Sequence, residues 1–198
     1  MFTRCWWMLV KWPVGVLAAA LTMSVACGGG GIFNAASLGG NNPGDRANLQ
    51  VIFINNTPFR AIFTYGTYDP LNKGFRPDAR QFSADADPAL RLERDSESEV
   101  ITFTRCGRAF SLGGAELIDR LKDAGLTADL REEALQPGIA FSDKPLDDPG
   151  AGQATAGRAP EVVTEQGVEY PCGALLIYTL EVDPTQPSGF RVGLEVMP

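Results

Sequence analysis

The sequence predicts a mainly β domain, an antiparallel β-sandwich with a short helical insertion, and three observations carry that expectation. Short runs rich in β-branched and aromatic residues recur along residues 49–198, with turn residues between them. Several of these runs alternate apolar and polar side chains, the period of a strand with one face buried. Only one stretch repeats its apolar residues at helical spacing.

The first run, LQVIFI (49–54), is continuously apolar, as in a strand covered on both faces. Asn55-Asn56-Thr57-Pro58 is a turn signal, and FRAIFTYG (59–66) puts Phe59, Ala61, Phe63 and Tyr65 on one face. The two runs are expected to form a hairpin. A polar stretch rich in Pro and Asp follows to Pro88. LRLE (90–93) and EVITFTR (99–105) are further strand candidates, with others at 139–141 and 161–164. ALLIYTLEV (174–182) reads as a buried strand. In FRVGLEV (190–196), Phe190, Val192, Leu194 and Val196 face inward while Arg191 and Glu195 face water.

The helix is AELIDRLKDA, following Gly113-Gly114, with Leu117, Ile118 and Leu121 on one stripe and Gly125 placed as a C-terminal cap. ADLREEAL (128–135) adds a second helical turn or two before Pro137. Residues 143–160 read as a long mobile loop. The order of elements is loosely similar to immunoglobulin or fibronectin-type architecture, a likeness that implies nothing about function.

Residues 1–26 read as a signal peptide. Arg4 and Lys11 supply a positive front, Val14–Ala26 is an uncharged apolar run, and small residues lead to Cys27. The run spans about 13 residues where a bilayer core needs roughly 20, and the glycines after Cys27 would stop a helix. Ser24-Val25-Ala26-Cys27 resembles the lipobox of bacterial lipoproteins, with Ser24 standing where Leu is commonest. The resemblance implies diacylglycerol on Cys27, two acyl chains that anchor durably, and a place in the bacterial cell envelope. Gly28 lacks the Asp that signals inner-membrane retention in some lipoprotein systems, which favours an outward destination. Ser24 and Ala26 also fit an ordinary signal-peptidase site, whose product is a soluble chain starting at Cys27. Residues 27–48 then form the lipidated Cys and a flexible tether rich in Gly and Asn. A competing reading pairs Ile32-Phe33 as an edge strand. Residues 49–198 form one domain.

Cysteine arithmetic bears on the choice. Cys5 leaves with the leader, so lipid on Cys27 leaves Cys106 and Cys172 as a pair. Their disulfide would close a loop of about 67 residues, stabilising the fold by roughly 4 kcal/mol. The alternative is two separate buried thiols.

The charge is −7, and loss of Arg4 and Lys11 takes it to −9. So acidic a surface repels phosphate backbones, and nucleic acid is not an expected partner. The chain has no His, which removes Ser-His-Asp and Cys-His catalysis and His-ligated metals.

No residue is assigned a catalytic role, and no cofactor is expected. Asp85, Asp87, Asp143, Asp147 and Asp148 are candidates for calcium, although their spacing fits no known calcium loop. Solvated loop charge is the favoured reading. Glu93, Asp95, Glu97 and Glu99 share one face at period 2, and a pair of carboxylates can hydrolyse glycosidic bonds when set across a cleft. Tyr65 and Tyr68 are candidates for an exposed binding face, since aromatic platforms serve sugars and partner proteins. Core packing is the competing account. Gly113-Gly114 is a weak candidate for an anion site at a helix N-terminus. Ser111 lacks the spacing of a nucleophile elbow. The expectation is a membrane-anchored binding or structural module for a protein or glycan. The alternatives are a carboxylate-dependent hydrolase and a calcium-dependent adhesion module.

Overall fold

The computed structural model describes residues 48–198, so the signal peptide, Cys27 and the tether lie outside the described residues. The first five strands are β1 (Leu49–Asn56), β2 (Arg60–Tyr68), β3 (Asp78–Phe82), β4 (Ser96–Glu97) and β5 (Ile101–Phe103). β6 (Ala109–Leu112) precedes the helix α1 (Ala115–Asp123). β7 (Ile139–Ser142), β8 (Gly157–Ala159), β9 (Val162–Glu165), β10 (Leu175–Val182) and β11 (Phe190–Met197) follow.

These strands make two sheets. In the first, β10 pairs with β1 in parallel and β11 pairs antiparallel with β10. On the other flank of β1, β5 meets residues 49–51 and β4 meets residues 54–55, end to end. The second sheet is built around β2. β3 takes one flank, while β6 and β7 lie end to end along the other, each antiparallel to it. β9 and β8 continue outward as partners of β6 and β7.

The alternation of apolar residues explains why the sheets face each other. Leu49, Val51 and Phe53 of β1 and Leu176, Tyr178 and Leu180 of β10 enter one buried cluster with Ala61, Phe63 and Tyr65 of β2. Phe53 sits among the rings of Phe63, Tyr65, Phe82 and Tyr178, with centroids 4.7–5.8 Å away. Val192, Leu194 and Val196 pack against the same cluster, as the alternation in that strand predicts.

The back of the second sheet is covered as well. Leu117 and Leu121 of α1 pack with Tyr68 and Ala109, and a smaller cluster joins Ile62 to Ala134, Ala140 and Ala151. β2 is therefore buried from Ala61 to Tyr68.

Several expectations are corrected. β1 and β2 do not form a hairpin: they lie in different sheets, and residues 55–59 carry the chain from one to the other. The buried Asn55 makes that corner, donating to Phe59 O (2.7 Å) and Glu93 O (2.8 Å) and accepting from Thr57 N and Thr57 Oγ1. The first sheet is mixed rather than antiparallel, because β10 runs beside β1 in the same direction. Leu90 ends a 3-10 turn (Pro88–Leu90), and Leu92 makes only a single bridge to Ala61. The second helical segment is a 3-10 turn, Glu132–Leu135. The polar stretch before Pro88 hides β3, and the loop assigned to 143–160 contains β8 and the buried Ala151.

Candidate functional site

Tyr65 and Tyr68 are 1% and 2% exposed, so they form no exposed binding face. Tyr65 points between the sheets, stacked on Phe82 at 4.8 Å, and Tyr68 lies under α1. Burial raises both phenols; Tyr68 is pushed up to about 12, with Glu116 and Glu161 adding to the effect. Core packing is their role.

Cys106 and Cys172 form a disulfide with Cα atoms 5.7 Å apart. Cys106 lies where the chain crosses from β5 in the first sheet to β6 in the second, and Cys172 where it returns from β9 to β10. The bond thus ties both crossings at one end of the sandwich. Around it, Gly107 N donates to Thr67 Oγ1 (2.6 Å), Tyr170 OH donates to Gly107 O (3.1 Å), and Gly173 N donates to Asn48 O (2.8 Å).

The carboxylates are dispersed into local roles. Asp87 accepts from Ala89 N and caps a 3-10 turn, Asp143 accepts from Thr155 Oγ1, and Asp148 pairs with Lys144 at 3.2 Å. Asp85 and Asp147 are exposed. Among the described residues no three acids or cysteines gather as a metal site. Glu93 pairs with Arg60 at 2.6 Å. Asp95 turns the chain at a φ of 47°, and Glu97 and Glu99 are exposed.

At the start of α1, Ala115 N donates to Glu161 Oε2. A carboxylate of the chain itself therefore occupies the place the glycine pair offered to an anion. Ser111 is fully buried behind Gly114, and its hydroxyl has no hydrogen-bond partner among the described residues.

An open groove lies elsewhere, between α1 and residues 73–77, and has a volume of about 940 Å³. Asp69 and Asn72 accept from backbone amides of residues 71, 72 and 74, which fixes the loop into successive tight turns. Arg120 fastens this loop to the helix, donating to Pro70 O (2.7 Å) and to Glu116 Oε1 (3.0 Å). Lys73, Arg76 and half-buried Phe75 line it from the loop, and Asp119 and Asp123 line it from α1. The groove can hold a chain segment that carries both signs of charge. It was not foreseen. The available signal was the turn-forming DPLNKG (69–74) beside a helix with Asp at 119 and 123.

Comparison with protein-family models, curated proteins and solved structures finds no match to this chain.

Proposed function

We propose that this chain is an exported bacterial envelope lipoprotein, anchored by lipid on Cys27, whose sandwich serves as a binding or structural module. Its architecture is read as loosely immunoglobulin- or fibronectin-like, with α1 as an insertion. The observation that carries the binding role is the groove beside α1, where Lys73 and Arg76 of the loop and Asp119 and Asp123 of the helix line one open space. Such a groove suits docking of a partner protein's polar segment, whose charges would each meet an opposite one. The leader and the small residues before Cys27 support export and anchoring, and a disulfide is suited to an oxidising compartment.

Mass spectrometry of the intact protein, extracted from native membranes, tests the anchor. The expected mature chain starts at Cys27 and carries the mass of a diacylglycerol; a water-soluble chain with an unmodified Cys27 overturns it. The groove is tested by charge reversal at Lys73, Arg76, Asp119 and Asp123, with cross-linking in intact cells. Loss of cross-linked complexes while the fold persists supports docking there, and unchanged complexes refute it.

A further inference from the structure

An open sheet edge is a row of backbone donors and acceptors that pairs with any extended chain reaching it. Most edges of this sandwich are short or strapped. β4, β5, β8 and β9 run only two to four residues. β3 is fastened through the Gln81 side chain, which donates to Asp129 O and accepts from Arg131 N. β11 differs: it pairs with β10 over eight residues without a bulge, holds no proline, and has no described strand on its other flank. In an antiparallel pair, successive residues point their backbone groups toward the partner and away from it in turn. Asp183 N donates to Gly189 O, so residues 191, 193, 195 and 197 face β10. Phe190, Val192, Leu194 and Val196 therefore present N–H and C=O at the outer edge. Phe190 agrees with this parity, because its N–H and C=O both bond the Ser188 hydroxyl instead of β10. The outward groups of Val192, Leu194 and Val196 meet no partner among the described residues.

We propose that β11 is the interface of a symmetric dimer, pairing antiparallel with β11 of a second copy of this chain across a twofold axis at Gly193. The sequence Arg191-Val192-Gly193-Leu194-Glu195 is complementary to itself reversed, as an isologous contact requires. With the axis at Gly193, Val192 of each copy exchanges two hydrogen bonds with Leu194 of the other. Arg191 of each copy then stands opposite Glu195 of the other, in the non-hydrogen-bonded pairs where side chains come closest. Moving the axis to Val192 or Leu194 sets both charges against uncharged residues, so charge complementarity selects Gly193. At the axis the two glycines approach to about 4.5 Å between Cα atoms, with no side chain in the way. Arg191 is exposed and already pairs with Glu181 of its own chain, so in the dimer it would bridge two carboxylates. On the other face of the strand, Val192, Leu194 and Val196 pack against the core from its rim and are only half-buried. The same residues of the second copy would continue the apolar layer beside them. Pairing also hides the longest open edge, the one best able to recruit stray strands. The inference rests on β11 alone and is independent of the groove and of the anchor.

The test uses the full chain in its native membranes and non-reducing electrophoresis. Gly193→Cys sets two thiols face to face at the axis, within the span of a disulfide. The fold tolerates it, since a Cβ there meets only Thr179 at 3.9–4.0 Å, ordinary contact. A covalent dimer is expected that neither the unsubstituted chain nor Leu71→Cys gives, Leu71 being 75% exposed in the loop between β2 and β3. In the Gly193→Cys chain, Arg191→Glu and Glu195→Arg should each weaken the dimer band roughly tenfold, because each sets like charges opposite one another twice. Co-expressing the two reversed chains should restore it as a mixed dimer, with Glu against Arg at both places, and the Cys106–Cys172 disulfide checks the fold of every variant. No dimer through position 193, an equal dimer through position 71, or a link to another protein in place of a second copy overturns the proposal. So does a dimer indifferent to both charge reversals, or a mixture of the reversed chains that stays monomeric.

Discussion

At the scale of single residues, Asn55 decides where the chain turns. Its amide answers four polar groups at once and lets a buried corner change sheets without stranding a carbonyl. Asn55→Ala removes these bonds and leaves the buried Thr57 N–H unmet, and should cost about 2–3 kcal/mol. A urea midpoint lowered with an unchanged slope would register it. The tyrosines make a second prediction. Burial raises Tyr65, Tyr68, Tyr170 and Tyr178 above the ordinary 10.0. Above pH 10 the unfolded chain loses phenolic protons that the folded chain keeps, so stability is full below that pH and falls as pH rises toward 12. Thermal melts from pH 8 to 12 should be flat at first and then descend, with phenolate absorbance appearing at unfolding. Phenolate absorbance preceding unfolding would show that the rings are not sealed.

At the scale of elements, the α1 excursion interrupts what is otherwise one strand. Gly113 and Gly138 close its neck: Gly138 N donates to Gly113 O (2.8 Å), and their φ values are +60° and +89°. A Cβ on Gly113 would stand 2.3 Å from Gly138 O, whereas one on Gly125, also at positive φ, meets nothing within 4 Å. Gly113→Ala should therefore cost about 2–4 kcal/mol, and Gly125→Ala only about 1–2. Equal costs in parallel denaturation curves would remove the packing argument. The same element shows what the sequence could and could not reveal. Helical spacing gave α1, and β-rich runs of six to nine residues gave β1, β2, β10 and β11, since period and length suffice there. AFSL and GRA are too short to carry a period, and β3 is masked by the Pro and Asp around it. Pairing was illegible: nothing in LQVIFI states that its neighbour is a parallel strand 125 residues away. Nor was the charged groove readable, because Lys73 and Asp123 come to line one groove only through tertiary packing.

At the scale of the whole molecule, the disulfide binds two of the crossings between the sheets to each other, at one end of the sandwich. Its cysteines are 66 residues apart, a loop whose closure stabilises the fold by roughly 4 kcal/mol in the chain-entropy account. Reduction, or the double variant Cys106→Ser/Cys172→Ser, should lower Tm by more than about 10 °C for a domain of this size. Equal melting of the oxidised and reduced forms would show that the sheets hold without it. The net charge of the whole chain, −7, also belongs to this scale, favouring solubility.

The parallel pairing of β1 and β10 has a mechanical consequence. Asn48 and Pro198 emerge at the same end of the first sheet, two strands apart. Tension between Asn48 and an object gripping the far corner at Asn56–Phe59 loads the hydrogen bonds on both flanks of β1 together, in shear. Tension between Asn48 and Pro198 draws β11 off β10 one bond at a time. The domain should resist the first pull and yield to the second, so its toughness depends on which end its partner holds.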